Sequence, residues 1–456
     1  MTQQRQTPAS KFTVTIESLN ADGAGVAQHK QHKVVIEKTL PGEVVEMSYH
    51  PERPRKSRIR LKRILTPSPE RVAAPCEYFD RCGGCHLQHM NYGQQLQFKQ
   101  SVIENLVREN DSLSGIAVHP VTGMPEPFHY RNKAQLPFYD YNGEATFGLF
   151  RSGTHELIPV NHCPVESREA NIALGIVRDW ARDFRIPIYD ESTHSGLLRH
   201  VAVRKSVFTK ETMVVLVTTS RDIPHIADLL RALKTGLSGL RSVQINLNTA
   251  DTNTILGDEN ILAWGENYIA ERLGKWRFRV YPNTFFQVNT VQMLKMLERL
   301  KTELLLNSED RVFDLYCGVG AIALSVAEQV REVIGIESNV EAIAAAEENA
   351  RDNRLPNLQF ICGDAADAMA TQLAAGHAPD VVIADPPRKG LPESLIEQIA
   401  AANPRSVAYF SCNPKTLVRD LAIFRQSGYA ATDIFPFDMF PQTYHVECLT
   451  VLQRSK

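Results

Sequence analysis

The chain has 456 residues, 43% of them hydrophobic and 22% charged, which is ordinary for a soluble globular protein. Its polar start, Met1 to Ser10, lacks the apolar core of a signal peptide, and no run of eighteen apolar residues predicts a membrane span, so we expect a cytoplasmic protein. The formal net charge of −2 conceals a basic front end, because residues 1–65 contain 12 Lys or Arg against 6 Asp or Glu. A basic segment joined to an acidic remainder predicts contact with a polyanion.

Short strands are predicted for residues 11–65. Phe12, Val14 and Ile16 alternate with polar residues, which is the period of a half-buried strand. Seven of the eleven residues from 53 to 63 are Lys or Arg. The pattern favours a small β-barrel of the oligonucleotide-binding type that binds RNA, the alternative being a solvated basic strand without a ligand. Three of the charged side chains alternate with apolar ones and would share one face of the strand: Arg58, Arg60 and Lys62.

Beyond a linker at residues 66–69, one amphipathic helix is predicted for residues 92–110. Residues 128–285 show mixed, strand-like runs to which no topology is assigned. From about residue 290, short apolar runs alternate with helical stretches, which predicts an α/β fold with an open, mostly parallel, doubly wound sheet. The predicted strands of this sheet are Val312–Leu315, Val333–Ile336, Leu358–Ile361, Val381–Ala384 and Val407–Phe410.

A glycine-containing turn, Asp314 to Gly320, follows the first of these strands and precedes a helix. Its two glycines allow the backbone to approach a ligand closely. The next three strands end in acids: Glu337, where a carboxylate can accept both ribose hydroxyls, Asp364, near the expected adenine amino group, and Asp385 of Asp-Pro-Pro. These acids line the crevice in which such sheets bind ligands, and they favour S-adenosylmethionine over a nicotinamide dinucleotide.

The fifth predicted strand ends in Ser-Cys-Asn-Pro, which places Cys412 at the same edge, and Glu447 precedes a last strand-like run. A lone cysteine is more often a small buried hydrophobe, but the location favours a reactive thiol. One reaction that needs both a thiol and a base is methylation of C5 of uracil, a carbon that is too weak a nucleophile to take a methyl group directly. A thiolate that adds to C6 makes C5 nucleophilic, and a general base must then remove the C5 proton so that the thiolate can leave. Cysteine suits the first task and glutamate the second.

The residue after the Pro-Pro pair argues against the competing class of amino-methyltransferases. Those enzymes are expected to carry an aromatic residue there, which stacks on the target base. In this chain the position is Arg388. An exocyclic nitrogen is therefore disfavoured as the target.

The cysteines form a separate pattern. Cys76, Cys82 and Cys85 lie within ten residues, and Cys163, which precedes a proline, could supply a fourth thiolate. Four thiolates can hold tetrahedral zinc or an iron–sulfur cluster. A distant fourth cysteine followed by Pro is more typical of ferredoxin-type ligation than of a zinc ribbon, so an iron–sulfur cluster is favoured over zinc.

Together these motifs resemble the RNA uridine-C5 methyltransferase family, in particular its bacterial 23S ribosomal RNA members, over nearly the whole chain. Cys76 to His89 is similar to the family's cluster motif, Asp385 to Arg388 to its Asp-Pro-Pro-Arg motif, Ser411 to Pro414 to its nucleophile motif and His445 to Glu447 to its base motif. The resemblance implies that the N-terminal barrel is a TRAM domain. It also implies that a 4Fe–4S cluster is ligated by Cys76, Cys82, Cys85 and Cys163.

The resemblance extends to the cofactor site. Asn283 to Asn289 resembles the segment that enters the family's catalytic domain, which implies that Gln287 contacts the cofactor. Tyr316, Glu337 and Asp385 match the other cofactor-contacting positions. The expected nucleophile and base are Cys412 and Glu447.

Three domains are predicted: a TRAM RNA-binding barrel at 1–68, a central mixed α+β iron–sulfur domain at 69–285, and a Rossmann-like methyltransferase domain at 286–456. The resemblance implies 23S ribosomal RNA as the partner, because barrel and cluster occur together, and a monomer is expected. Transfer RNA stays open as an alternative, since archaeal-type transfer RNA enzymes can also carry the cluster. A pure RNA-binding protein, a dehydrogenase or a redox sensor would each leave part of this set of motifs without a role.

Overall fold

The structure, a computed structural model, describes residues 10–50, 59–251 and 254–455. In chain order its strands are β1 (Ser10–Thr15), β2 (Ser18–Leu19), β3 (Gly25–His29), β4 (His32–Ile36), β5 (Val44–Tyr49), β6 (Ile59–Thr66), β7 (Ala117–Val118), β8 (Lys133–Tyr141), β9 (Glu144–Phe150), β10 (Leu157–Pro159), β11 (Leu198–Lys205), β12 (Thr212–Thr218), β13 (Leu240–Leu247), β14 (Glu259–Gly265), β15 (Ile269–Leu273), β16 (Trp276–Val280), β17 (Arg311–Leu315), β18 (Glu332–Glu337), β19 (Leu358–Cys362), β20 (Val381–Ala384), β21 (Ser406–Ser411), β22 (Tyr429–Phe437) and β23 (Glu447–Arg454). Its α-helices are α1 (Tyr92–Arg108), α2 (Arg168–Asp183), α3 (Ile226–Gly236), α4 (Thr290–Glu303), α5 (Ala321–Val326), α6 (Val340–Asp352), α7 (Ala365–Ala374), α8 (Glu393–Ala402) and α9 (Pro414–Gln426).

The first six strands form an N-terminal β module. Strands β1, β5 and β6 make one sheet and β2, β3 and β4 another. Val14, Ile16, Ala27, Val45 and Met47 belong to the single core between them. The predicted alternation is confirmed in β1, where Val14 is buried and its neighbours Thr13 and Thr15 are exposed.

The basic strand β6 departs from regular alternation at a β-bulge. Leu61 lies opposite Met47, but the register then shifts, so that Arg63 faces Glu46 and Lys62 has no opposing residue. Such a bulge places two residues of one strand against one of the next. Arg60 and Lys62 are exposed while Leu61 packs on the module's core. Arg58, the third predicted member of the charged face, lies outside the described residues.

The central region is built on a seven-stranded sheet in the order β10-β9-β8-β11-β12-β13-β14. Neighbouring strands are antiparallel except for the parallel pair β12 and β13. Helices α2 and α3 bury Val177, Trp180, Leu229 and Leu233 in the core that they share with this sheet. Non-local pairing of this kind has no signature in local periodicity, which explains why the topology could not be assigned from the sequence.

The C-terminal sheet has eight strands in the order β19-β18-β17-β20-β21-β23-β22-β7. The first five are parallel, and β23 runs antiparallel between β21 and β22. Separate hydrophobic cores on its two faces contain residues of α4 and α5 on one side and of α7, α8 and α9 on the other. The predicted α/β class with a doubly wound sheet is confirmed, and each of the five predicted strands is present.

Two elements from the predicted central domain belong to this C-terminal sheet in space. Helix α1 buries Ile103 and Val107 in the same core as Leu417 and Leu421 of α9. Strand β7 pairs in parallel with β22. The predicted domain boundaries at residues 68 and 285 therefore remain a proposal. In space, α1 and β7 pack with the strands that follow residue 310. Within the described ranges, no helix is both long and apolar enough to cross a membrane.

Candidate active site

The turn after β17 is shaped by left-handed backbone. Tyr316, Gly318 and Gly320 have φ values of 65°, 54° and 81°. At Gly320 an added Cβ would lie 2.9 Å from a side-chain carbon of Leu324, so only glycine fits this turn without a shift. The turn delivers the chain into α5 and leaves backbone amides at the carboxyl edge of the sheet, where ligands bind in open α/β sheets.

The three predicted acids lie at this edge. The carboxylate of Glu337 accepts hydrogen bonds from the backbone N–H of Gly318 at 3.3 Å and of Asn339 at 2.8 Å. Asp364 caps helix α7, with its Oδ1 accepting from the N–H of Ala366 at 2.9 Å. Oδ1 of Asp364 is therefore occupied, and its second oxygen is the one that can meet a ligand.

Asp385 and Gln287 are brought together from distant segments. A side-chain hydrogen bond from Gln287 lowers the pKa of Asp385, but burial outweighs it and raises that pKa to about 6. The backbone carbonyl of Gln287 accepts from the side-chain amide of Asn132 in the central region at 2.8 Å. Phe286, the preceding residue, is buried in the C-terminal core. The segment that carries Gln287 is thus fixed on both sides.

The crevice concentrates negative charge. Burial raises the pKa of Asp314 well above its usual value, and the neighbouring carboxylates of Asp385 and Glu337 raise it further. Oδ2 of Asp314 accepts from the N–H of Ala323 at 2.9 Å, whereas its buried Oδ1 has no hydrogen-bond partner in the described structure. Mutually destabilised carboxylates favour a cationic ligand, and the sulfonium and ammonium groups of S-adenosylmethionine fit that requirement. Asp314 was not predicted as a site residue, because it lies within the apolar run that predicts a buried strand.

Cys412 and Glu447 lie close together at the end of two paired antiparallel strands, and Glu447 acts electrostatically on the thiol. In the register of β21 and β23, Ser411 lies opposite Cys448. Cys412 directly follows Ser411 and Glu447 directly precedes Cys448, so the two predicted reactive groups adjoin the last residue pair of these strands. Asn413 caps α9 directly after the cysteine and accepts from the N–H of Lys415 at 3.2 Å. The thiol is thus held between a strand end and a capped helix start.

Burial opposes ionisation of both predicted reactive groups. It raises the pKa of the Cys412 thiol to about 11, with further raising by Glu447 and Asp385 and a lowering by Arg388. Burial also raises the pKa of Glu447 well above its usual value, and Asp385 adds to that shift. Perturbed groups of this kind, gathered at a sheet edge, are typical of a reactive site.

Cys412 lines a cavity of about 250 Å³, whose walls combine residues of the predicted motifs with residues from distant parts of the chain. Arg388 donates to His445 across 3.3 Å, and burial together with Arg388 lowers the pKa of that histidine to about 4, so that the ring accepts as a neutral base. Ala21 and Asp22, on the turn after β2, line the same cavity as Cys412. No local pattern could have joined a turn of the N-terminal β module to a cysteine near the other end of the chain.

The four cysteines of the predicted cluster line a second cavity of about 290 Å³: Cys76, Cys82, Cys85 and Cys163. Arg131 and Lys133 line it as well. Burial raises the pKa of Cys85 to about 12. Among the described residues, no three or more His, Cys, Asp or Glu side chains are arranged as ligands of a single metal ion. The four thiols and the two basic side chains nevertheless fit a multinuclear cluster, whose thiolate ligands would bind different irons and bring negative charge.

Comparison with known proteins supplies the next observation. The family model described as tRNA (uracil-5-)-methyltransferase matches residues 91–455. A relative in Halalkalibacterium halodurans, named as an uncharacterized RNA methyltransferase, is 38% identical over 453 residues, with 99% of each chain covered. Another from Clostridium tetani, with the same description, is 35% identical and covers 97% of this chain and 96% of its own.

A solved structure resembles nearly the whole chain. It is the Pyrococcus abyssi tRNA (uracil-54, C5)-methyltransferase in complex with S-adenosyl-L-homocysteine. It is 27% identical, with a TM-score of 0.76, and the match covers 96% of this chain and 99% of the Pyrococcus chain. The similarity therefore extends beyond the region of the family model into the N-terminal β module.

Proposed function

We propose that this chain, which belongs to the tRNA (uracil-5-)-methyltransferase family, methylates C5 of a specific uridine in 23S ribosomal RNA. The proposed reaction proceeds through a covalent bond between Cys412 and C6. Family membership makes it an enzyme that transfers a methyl group from S-adenosylmethionine to uracil in RNA. The observation that carries the assignment of the reactive residues is the placement of Cys412 and Glu447 at the end of two paired strands beside the acidic crevice.

The two reactive groups divide the chemistry between them. The Cys412 thiolate adds to C6 of the uracil, and the electron pair of the C5–C6 bond makes C5 nucleophilic. C5 then forms a bond to the methyl carbon of S-adenosylmethionine as the bond from that carbon to sulfur breaks, and S-adenosylhomocysteine leaves. Glu447 accepts the proton from C5, the C5–C6 double bond re-forms, and the thiolate is expelled. Arg388, which lowers the pKa of Cys412, favours the thiolate at the start and at the end of this sequence.

Five residues are proposed to hold the cofactor: Gln287, Tyr316, Glu337, Asp364 and Asp385. Support comes from their positions around the ends of parallel strands and from the excess of carboxylate charge there. Glu337 is placed to accept from ribose hydroxyls, since its carboxylate is oriented by the amides of Gly318 and Asn339. Gln287 forms a side-chain hydrogen bond with Asp385 and thereby connects the cofactor crevice to the segment that enters the C-terminal sheet.

The choice of 23S ribosomal RNA is supported by the resemblance of the cysteine motif and the N-terminal β module to the bacterial ribosomal members of the family. Transfer RNA is a second candidate. It is supported by the similarity to the Pyrococcus transfer RNA enzyme, whose structure matches 96% of this chain. In either RNA, the target base must leave its stack to reach Cys412, so we expect a looped or single-stranded site. Exposed Arg60 and Lys62 on β6 are proposed to bind phosphates outside the pocket.

The target is tested by methylation of purified, unmodified RNA. We expect label from methyl-tritiated S-adenosylmethionine to enter protein-free 23S ribosomal RNA at one or a few uridines, and bulk transfer RNA at a rate lower by about 10³-fold, the lower end of typical specificity ratios. Mapping by nuclease digestion and mass spectrometry identifies the base as 5-methyluridine. Efficient labelling of transfer RNA alone would contradict the ribosomal assignment and leave the chemistry intact.

A 4Fe–4S cluster is proposed on Cys76, Cys82, Cys85 and Cys163. Support comes from the shared cavity, from the two basic side chains that line it and from the ferredoxin-like spacing. The methylation needs no redox step, so the proposed role is structural. The cysteine segment also touches other parts of the chain: Gly83 donates to the backbone carbonyl of Phe150 in β9 at 3.0 Å, and Lys38 of the β module donates to that of Phe79 at 2.6 Å.

Metal analysis checks the cluster. Protein purified without oxygen should be brown and contain about four irons per chain. Cys85→Ser should lose most of that iron, because Cys85 lines the cavity. Cys362→Ser serves as the matched control, since Cys362 is exposed at the end of β19 and should keep the full iron content. Zinc in place of iron in the anaerobic preparation would contradict the proposal.

A further inference from the structure

The loop that joins β22 to β23, residues 438–446, leads directly into Glu447 and is held from outside by an unusual set of hydrogen bonds. Four successive backbone carbonyls, at positions 439 to 442, each accept from a group elsewhere in the chain. Buried carbonyls need partners, and here each partner comes from a different segment. The donors in order are the Asn289 side-chain amide (3.1 Å), the Lys99 ammonium (3.1 Å), the Tyr130 hydroxyl (3.1 Å), and the backbone N–H groups of His86 (2.8 Å) and Leu87 (3.0 Å).

Gln442 is the most constrained residue of this loop. It is 2% exposed and has a φ of 70°, a conformation that non-glycine residues rarely adopt and that surrounding contacts must maintain. Gln95 of α1 supplies those contacts. Its Nε2 donates to Oε1 of Gln442 at 3.0 Å, and its Oε1 accepts from the backbone N–H of Gln442 at 3.2 Å.

A buried ion pair fixes the start of the same loop. Lys99, one turn after Gln95 on α1, donates to Asp438 at 2.5 Å, and both side chains are fully buried. Tyr92, on the same face of α1, donates to the other carboxylate oxygen of Asp438 at 2.8 Å. Removing one member of such a buried pair would leave the other charge without a partner, which is strongly destabilising.

Cys412 has supports outside this loop, although Arg388 beside it also donates to His445 of the loop at 3.3 Å. Cys412 lies between the end of β21 and the start of α9, where Asn413 donates to the backbone carbonyl of Arg388 at 3.2 Å. Loosening the 438–446 loop should therefore displace the approach to Glu447 more than the thiol, whose strand end and helix start lie outside the loop.

We propose that Gln442 and Gln95 are positioning residues for Glu447, and that the segment after Cys85 takes part because His86 and Leu87 donate to the carbonyl of Gln442. The inference rests on the proposed function, in which Glu447 removes the C5 proton. It predicts which step fails when the pair is broken: bond formation by Cys412 and methylation continue, whereas proton removal slows.

The test separates the two steps. RNA transcribed with 5-fluorouridine traps the covalent complex, because fluorine at C5 cannot leave as a proton does, and so counts the competent enzyme. Turnover on ordinary RNA is then expressed per trapped enzyme, so that a misfolded fraction does not enter the result. Gln442→Ala and Gln95→Met should trap within about twofold of the unchanged protein, turn over about 10- to 100-fold more slowly, and accumulate a methylated covalent RNA adduct.

The double variant and a control complete the design. Gln442→Ala combined with Gln95→Met should be slowed by less than the product of the two single effects, because both single variants lose the same hydrogen bond from Nε2 of Gln95 to Oε1 of Gln442. Gln100→Ala, on the same helix but bonded to Glu104, should behave as the unchanged protein. Unaltered turnover in both single variants, or slower trapping in proportion to slower turnover, would overturn the proposal. Failure of the unchanged protein to form any trapped complex would instead overturn the proposed function on which it rests.

Discussion

Cys412→Ala should abolish methyl transfer, lowering turnover by about 10⁴-fold or more, while S-adenosylmethionine still binds. Loss of a covalent nucleophile has effects on this scale because no other group can take over its bond-forming step. Cofactor binding should persist because the acidic crevice is built from the ends of β17, β18 and β20, whereas Cys412 follows β21. Tritium transfer to RNA and calorimetric titration with the cofactor measure the two properties separately.

Formation of a covalent protein–RNA complex provides a second test of the role of Cys412. With 5-fluorouridine RNA, the unchanged protein should form a species that survives denaturing electrophoresis, and Cys412→Ala should form none. Cys448→Ala, at a buried cysteine on the neighbouring strand, is the matched control and should still be trapped. Measurable turnover in Cys412→Ala, or a covalent complex in it, would assign the nucleophile to another residue.

The raised pKa of Cys412 adds a pH dependence. In the free protein that pKa is raised to about 11, so near neutrality most molecules carry the thiol, and the thiolate fraction grows about tenfold for each pH unit. The rate of trapping should accordingly rise from pH 6 to pH 9. Since Arg388 lowers this pKa, Arg388→Gln should trap more slowly at each pH in that range.

The grouping of the candidate site residues at one sheet edge was predictable, because they lie in short motifs at the ends of apolar runs. The parallel strands β17, β18, β20 and β21 are buried on both faces, so they read as continuous apolar segments, and the residue that follows each one falls at the same edge of the sheet. Chain order alone therefore places Glu337, Asp385 and Cys412 near one another, before any distance is known.

What surrounds these residues could not be predicted, because it depends on contacts between distant parts of the chain. Gln95 and Gln442 are 347 residues apart, and neither belongs to a recognisable motif. An amphipathic pattern indicates that α1 buries one face, but it does not identify the buried partner, which proves to be the C-terminal sheet. The polar residues on that face read as surface residues in the sequence, although Lys99 and Gln95 are buried in the network that holds the 438–446 loop.

Glu447→Gln should arrest the reaction after methyl transfer. The amide keeps the shape of the side chain but cannot accept a proton, so the C5 proton of the methylated adduct stays in place and the Cys412–C6 bond cannot break. Turnover should fall by about 10²- to 10⁴-fold, the range for loss of a general base.

The expected product is a covalent complex on ordinary RNA that contains one methyl group per trapped base, which mass spectrometry of the cross-linked nucleotide measures. Such a complex should be scarce with the unchanged protein, which resolves it in each cycle. Glu397→Gln, at an exposed position on α8, is the control and should turn over normally. An adduct without the methyl group would place Glu447 earlier in the sequence, as the group that takes the proton of Cys412. Normal turnover would show that Glu447 is not the base. Asp385, the carboxylate that raises the pKa of Glu447, would then be the next candidate to test.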